Sequence, residues 1–319
     1  MNRRQSSSAN WTTRGRTLVE LLIAITIGIV VLGALTVVYL STSLSGRQST
    51  AVARMNEDAA TALSFIGPQL RMAGFSLPRR GTLPVAALVD GVKTSPPDRN
   101  FAGAGVRACD HGFTNATTAT FADLSCSSAS TGPAAFALRF EGADPTGTDS
   151  LRALLPLNSD CLGNEVDSTK YTTGALGVAY PLVESRFWAA VNSSSGTSDL
   201  SCAGNGKNFS PQPLVQYVED IRLRFGVAKD GQSFDVVQYL ETAAGVDALG
   251  GSVDQNWSRV VTVRLCLLMR SADSAPAGVG SKYVDCDGGT VTPSDNVIRR
   301  AYVQTIALRN RSGFVGSAS

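Results

Sequence analysis

The stretch RGRTLVELLIAITIGIVVLGALTVVYL, residues 14–40, places a glycine, a single carboxylate and a long apolar run in a fixed order. Residues 21–40 carry no charged side chain, and a helix of about 20 apolar residues can span the hydrocarbon core of a bilayer. Glu20 stands at the head of this run, where an unpaired carboxylate in contact with lipid is costly. The stretch therefore predicts an N-terminal membrane-spanning helix with an acidic residue at its start.

The order of Gly15, Glu20 and the apolar run resembles the class III signal of type IV prepilins. In that family a peptidase cleaves after the glycine, and the glutamate is the fifth residue of the mature chain. Counted from Arg16, Glu20 is the fifth residue. The resemblance implies a leader at residues 1–15, cleavage between Gly15 and Arg16, and Glu20 as the carboxylate used in assembly. It also implies N-methylation, although Arg16 replaces the Phe or other apolar residue usual at that position.

Two other interpretations compete for this segment. An ordinary secretory signal peptide places its apolar core before a cleavage site of small residues, whereas here the basic leader comes first and no such site follows. A plain transmembrane anchor needs neither Gly15 nor Glu20. The combination of these two residues at fixed spacing favours the prepilin interpretation.

Basic residues predict the orientation of the helix. Arg3, Arg4 and Arg14 precede the apolar run, and positive charges are retained on the cytoplasmic side of a membrane. We therefore expect a single-pass protein of the bacterial inner membrane, with its N-terminus in the cytoplasm and its C-terminal part in the periplasm. After assembly, the resemblance implies a location in a pilus at the cell surface.

The helix is predicted to continue beyond the membrane and to occupy residues 16–74, with about 18–40 spanning the bilayer. After Leu40 the sequence is more polar, but apolar residues recur at spacings of three and four, which is typical of one helix face. Gly67-Pro68 is expected to kink the helix or to begin its last turns, and Gly74 to end it. The residues of the apolar face are Val52, Met55, Ala59, Ala62, Leu63, Ile66 and Leu70.

The remainder, residues 75–319, is predicted to be a β-rich globular domain outside the cytoplasm. Residues 75–212 are rich in turn-forming residues and form its variable middle, and residues 213–311 form its C-terminal sheet. The predicted fold is α+β and type IV pilin-like, with the long helix packed on one antiparallel sheet that carries long disulfide-bonded loops. Alternating or β-branched segments predict strands at 135–140, 214–227, 234–240, 257–269 and 297–309.

Six cysteines favour disulfides in this exported domain, because an even number of cysteines is typical of oxidising compartments. Six cysteines allow 15 connectivities, and buried free thiols are the alternative. We expect sequential pairing, since each such pair closes a short loop rich in Gly, Ser and Asp. The pairs are Cys109 with Cys126, Cys161 with Cys202, and Cys266 with Cys286.

Five short segments are similar to the PilW-type minor pilins, one at the end of the long helix and four in the final hundred residues. The resemblance implies a minor pilin that primes type IV pilus assembly within a minor-pilin complex at the pilus tip. Implied partners are other minor pilins, the major pilin, the prepilin peptidase, the inner-membrane assembly platform and, before assembly, membrane lipid. The segments are RMAGF (71–75), VEDI (218–221), FGV (225–227), VTVRL (261–265) and ALRNR (307–311).

Other functions are compatible with parts of this sequence. A GspJ-like minor pseudopilin of a type II secretion system has the same signal and general fold, and the variable middle is compatible with a tip-located adhesin. A membrane-anchored enzyme is disfavoured, because the chain has a single histidine, His111, and none of the common catalytic motifs. We expect no enzyme activity and no cofactor.

Metal and nucleic-acid binding are not expected either. The cysteines lack the close spacing of zinc ligands, and residues 285–288 (DCDG) are interpreted as a turn, with a calcium site as the alternative. The formal net charge of +2 gives no electrostatic footprint for nucleic-acid binding.

Overall fold

The computed structural model describes residues 15, 17–76, 100–101, 103–144, 158–173, 179–194, 196–231, 233–274 and 282–310. Contacts divide the chain into two compact units, Met1–Thr50 and Ala51–Ser319. Most of the predicted leader, residues 1–14, lies outside the described residues, and so does Arg16.

The described residues form one long α-helix, two short α-helices and thirteen strands, besides single-turn 3-10 helices at Ser168–Lys170 and Asn205–Lys207. The helices are α1 (Leu18–Met72), α2 (Ala243–Asp247) and α3 (Val253–Ser258). The first seven strands are β1 (Val106–Cys109), β2 (Ala135–Glu141), β3 (Thr172–Thr173), β4 (Ala179–Tyr180), β5 (Leu182–Val191), β6 (Ser198–Gly204) and β7 (Gln212–Val215). The remaining strands are β8 (Val218–Val227), β9 (Gln238–Leu240), β10 (Val260–Ser274), β11 (Tyr283–Val284), β12 (Thr290–Val291) and β13 (Val297–Ala307).

The strands form two antiparallel sheets and two small hairpins. The first sheet has the order β1-β2-β5-β6-β7, and the second has the order β13-β10-β8-β9. The hairpins are β3-β4 and β11-β12. The predicted α+β class is confirmed, but the β part contains two principal sheets where the sequence predicted one.

The predicted single strand over 214–227 is wrong, because the chain changes sheets within it. β7 pairs with β6 in the first sheet, whereas β8 pairs with β10 in the second. Between them Tyr217 has a φ of 63°, which is uncommon for a residue with a side chain and redirects the backbone. The N–H of Tyr217 donates to the Asp199 carboxylate at 3.3 Å, which helps to hold this turn.

The prediction that turns dominate residues 75–212 is wrong for β5 and β6, which are central strands of the first sheet. Their sequences conceal this because several polar side chains in them are buried. Arg186 is 0% exposed. Its guanidinium donates to Glu184 at 2.7 Å and to the carbonyls of Ala116 and Ala119 at 2.6 and 2.7 Å, and it lies over the Phe209 ring. These partners satisfy a buried charge, which would otherwise exclude arginine from a core.

Two strand boundaries differ from the predictions near the second sheet. Trp257 lies in α3 and not in a strand, because Ser252 and Gln255 form a capping box that starts a helix there. The S-x-x-Q spacing was a signal that the sequence reasoning missed. Only the last three residues of 234–240 pair as β9 with β8.

The C-terminal half of α1 supplies one wall of the core. Met55, Ala59, Ala62, Ile66 and Leu70 are buried, and they belong to the predicted apolar face. They share one hydrophobic cluster with residues of both sheets. Because their spacing is three or four residues, they align on one side of the helix.

Polar contacts fix this part of α1 against both sheets. Tyr302 of β13 donates its hydroxyl to Asn56, and Ser185 of β5 donates to Gln69 at 3.4 Å.

α1 continues through Pro68 to Met72. Gly74 follows with a φ of 77° and donates its N–H to the Arg139 carbonyl of β2 at 2.9 Å. A left-handed glycine just after a helix is a common stop.

The end of α1 approaches the backbone before β1 very closely. A Cβ atom on Gly105 would lie 2.2 Å from the backbone nitrogen of Gly74.

We predict that Gly105→Ala lowers the free energy of unfolding by about 3 kcal/mol, because backbone atoms on both sides cannot move apart without breaking the packing. The measurement is the urea midpoint of the full chain in a mild detergent. Gly46→Ala is the control, since a Cβ there meets nothing within 4 Å, and an equal shift for both variants would contradict the prediction.

A partly buried carboxylate makes the second sheet sensitive to pH. Burial raises the pKa of Asp220 to about 6, although the nearby Arg222 guanidinium at 3.1 Å opposes that rise. A folded-state pKa above the unfolded value of 3.8 means that the folded protein binds the proton more tightly. This contribution to stability is therefore present below about pH 4 and is lost as the pH rises through about 6.

We predict that the stability of wild type relative to Asp220→Asn increases by about 2 kcal/mol between neutral pH and pH ~4. The asparagine variant lacks the titrating group, so the difference between the two unfolding free energies isolates it. Thermal or urea unfolding across this range provides the measurement. Asp235→Asn, which removes an exposed aspartate, should run parallel to wild type, and a pH-independent difference for Asp220→Asn would refute the assignment.

Candidate assembly segment

The first turn of α1 is closed by a side-chain cap. The Thr17 hydroxyl accepts a hydrogen bond from the Glu20 N–H at 3.3 Å, and the Thr17 carbonyl accepts from Leu21 N–H at 3.2 Å. Thr17 is therefore the N-cap residue, and Glu20 occupies the third helical position, where a carboxylate is favoured by the helix dipole. The T-x-x-E spacing is a capping-box signature that the sequence analysis did not use.

Glu20 consequently has a local structural role beside its predicted assembly role. Its side chain is exposed and forms no ion pair with any residue of the described ranges. Gly15, two residues before the cap, is exposed as well. The predicted cleavage point therefore lies immediately before the helix, outside its hydrogen-bonded turns.

The apolar half of α1 presents its side chains to the outside. Large apolar residues from Leu18 to Leu40 are at least half exposed, whereas a soluble domain rarely exposes a large continuous apolar surface. Thr26 and Thr36 donate their hydroxyls to carbonyls of the preceding turn, at 2.9 and 2.8 Å. Their polar groups are thus satisfied within the helix, as a lipid environment requires.

By length and composition, α1 is suited to cross a membrane. The exposed apolar surface is long enough for the hydrocarbon core, and none of its membrane-length window is buried within the protein. This segment therefore supports membrane anchoring of the chain.

The structure brings the six cysteines together in three sequential pairs, Cys109–Cys126, Cys161–Cys202 and Cys266–Cys286. Each joins a loop or hairpin to a strand of one of the two sheets. The third ties the β11-β12 hairpin to β10. In the chain-entropy picture, a cross-link of this loop length stabilises a domain by about 3 kcal/mol.

The residues considered for other chemistry have structural contacts. His111 lies with Nδ1 3.2 Å from the Gly132 carbonyl oxygen. The Asp285 carboxylate accepts from the N–H groups of Asp287 and Gly289, at 3.0 and 2.7 Å, as in an Asx turn. Within the described ranges, no group of three or more His, Cys, Asp or Glu side chains could hold a metal ion.

Two carboxylates in the middle of the apolar segment should weaken membrane anchoring. We predict that Val30→Asp with Val31→Asp costs about 5–7 kcal/mol of insertion free energy, because each aspartate at a helix centre is strongly unfavourable. Alkaline carbonate extraction of membranes should release the variant but not wild type. Gln48→Asp with Ser49→Asp is the matched control beyond the apolar run, and release of both variants to the same extent would contradict the prediction.

Comparison with known families adds evidence from the C-terminal part of the chain. The family model for type IV pilus-assembly protein W, PilW, matches residues 187–310. The matched range contains all four strands of the second sheet and both strands of the Cys266-tethered hairpin. No curated protein and no solved structure matches the chain. The family match confirms the predicted resemblance and supports a PilW-type protein of type IV pilus assembly.

Proposed function

We propose that this chain is a minor pilin that primes type IV pilus assembly within a minor-pilin complex at the pilus tip. The observation that carries the proposal is the capped N-terminus of α1, where Glu20 heads an exposed apolar helix segment. The PilW match over residues 187–310 supports the assembly role independently of that segment.

Before assembly, the apolar half of α1 holds the subunit in the inner membrane. The arginines ahead of the apolar run keep the N-terminus in the cytoplasm, so that the disulfide-bonded unit folds in the periplasm. During assembly the helix leaves the bilayer, and contacts with neighbouring helices replace contacts with lipid. The exposed side chains from Leu18 to Leu40 supply the surface for both environments.

Glu20 provides the polar element of this exchange. A carboxylate surrounded by apolar helices is costly unless a cation lies beside it. Cleavage after Gly15 creates such a cation, the α-amino group of Arg16, on a subunit of the growing filament. The proposed contact joins the Glu20 carboxylate of one subunit to the new amino group of its neighbour, and this pairing sets the axial position of the subunit.

The partners follow from this mechanism. The prepilin peptidase cleaves the leader, and the inner-membrane assembly platform moves the subunit out of the bilayer. Other minor pilins form the priming complex, and the major pilin adds below it. The size of Ala51–Ser319 suits a subunit present in few copies better than a main subunit packed along a whole filament.

The capping geometry allows the charge of Glu20 to be tested separately from its helix-capping position. In a strain deleted for this gene, we expect surface pili to fall sharply and to return with wild type and with Thr17→Ala. Thr17→Ala loses the N-cap hydroxyl at a cost of about 1 kcal/mol but keeps the carboxylate. Glu20→Gln keeps the size of the side chain and one acceptor oxygen but removes its charge, and should fail to restore pili.

Pilus counts by electron microscopy and N-terminal sequencing of the processed chain are the readouts. Sequencing should place Arg16 first in all three complemented strains, so that assembly is separated from processing. Restoration of pili by Glu20→Gln would eliminate the charge-pairing mechanism. Normal pili in the deletion strain, with secreted enzymes retained in the periplasm, would favour the type II pseudopilin instead.

A further inference from the structure

A groove of about 480 Å³ lies between the second sheet and the β11-β12 hairpin. Its floor is the sheet face that carries Cys266, opposite the face whose Leu265 and Leu267 side chains enter the core. The Cys266–Cys286 disulfide fixes the hairpin over this face. The groove is therefore a built feature of the fold and not a gap beside a free loop.

Cationic side chains dominate the lining of the groove. Arg224, Arg264, Lys282 and Arg299 all contribute to it, against the carboxylates of Asp285 and Asp287. Arg300 lines the groove as well, but its guanidinium donates to Asn56 Oδ1 at 3.4 Å. The Asp285 carboxylate is already engaged by two N–H groups of its own turn. The side chains that line the groove therefore include more cations than carboxylates, although the chain as a whole is nearly neutral.

Two of the cations are neutralised by neighbouring carboxylates. Arg224 lies 2.5 Å from Glu241 and 4.0 Å from Asp287. Arg299 is held by Glu219 at 2.5 Å and by Asp295 at 2.6 Å. Their charges are satisfied without a ligand.

Arg264 and Lys282 are different, because neither pairs with a carboxylate in the described part of the chain. Both are exposed. In the sheet register, moreover, Arg264 of β10 stands directly opposite Arg224 of β8. Like charges in directly opposed positions are unfavourable in a sheet, so the pairing of β8 with β10 gives no reason for a cation at Arg264.

Apolar side chains border the same groove. Val284 and Val303 line it and are 56% and 48% exposed. Val303 belongs to β13, which is the edge strand of the second sheet among the described strands. Exposed valines between cations suit a polypeptide that combines carboxylates with apolar residues.

We propose that this groove binds an acidic segment of a partner protein, with Arg264 and Lys282 as the residues that receive its carboxylates. Val284 and Val303 contact the apolar side chains of the same segment. The inference rests on the folded C-terminal sheet and is independent of the assembly role of Glu20.

The test measures binding of a fluorescent peptide of alternating Asp and Val to the full chain in a neutral detergent. Anisotropy should show binding that weakens as salt is added, because exposed charges are screened. Arg264→Gln and Lys282→Gln should each weaken binding by about tenfold, as expected for the loss of one charge-assisted contact. Lys229→Gln removes an exposed lysine that does not line the groove and should leave binding unchanged.

A stability measurement distinguishes a binding role from a structural one. Arg264→Gln should keep or raise the melting temperature, since it relieves the opposition to Arg224, while it weakens peptide binding. Equal binding of a peptide with Asn in place of Asp would overturn the proposal. Binding of an acidic polysaccharide but not of the peptide, or equal weakening by Lys229→Gln, would also overturn it.

Discussion

The buried face of α1, from Met55 to Leu70, is the contact on which the folded unit depends. These residues join the hydrophobic cluster that both sheets share, so that neither sheet has to cover its apolar face alone. Hydrogen bonds from Tyr302 to Asn56 and from Ser185 to Gln69 fix the orientation of the helix against the two sheets. Because the same helix contains the exposed apolar segment, a single secondary-structure element carries both the anchor and the core.

Close backbone packing at the end of α1 extends this constraint to the first sheet. The Gly74 N–H donates to the Arg139 carbonyl. Because Gly105 has no side chain, the backbone of Gly74 can lie directly against it. The chain then passes between the sheets at Tyr217, where the left-handed backbone and the Asp199 contact end one strand and permit the next. The two sheets are thus joined by local geometry as well as by their shared core.

The distribution of chemistry along the chain agrees with an assembly protein. The features with a functional signature are an exposed apolar helix and a charged groove on the PilW-matched sheet. Buried charges such as Arg186 and Glu184 are satisfied by the protein itself, and burial raises the pKa of Glu184. These buried charges are explained by the requirements of the fold.

The long helix and its two halves were determined by the sequence alone, because an uninterrupted apolar run and a three-four spacing are local patterns. The late strands β8, β10 and β13 were also predictable in outline, since β-branched residues and the PilW-like segments lie within them. The strands β5 and β6 could not be predicted from the sequence, because the buried residues Arg186 and Glu184 look like surface residues until their partners are known. The change of sheet at Tyr217 was also hidden, as the apolar alternation continues across it.

The candidate sites divide in the same way. Gly15 and Glu20 are predicted as processing and assembly residues from the spacing of a short motif, and the cysteine pairs are predicted from their order along the chain. The Thr17 cap was present in the sequence as T-x-x-E but became meaningful only when the helix was seen to begin at Leu18. The basic groove required tertiary structure, since only the β8-β10 register opposes Arg264 to Arg224, and only the Cys266–Cys286 bond brings the hairpin and Lys282 to the same face. Sequence fixes which charges exist, but pairing between distant strands decides which of them remain without a partner.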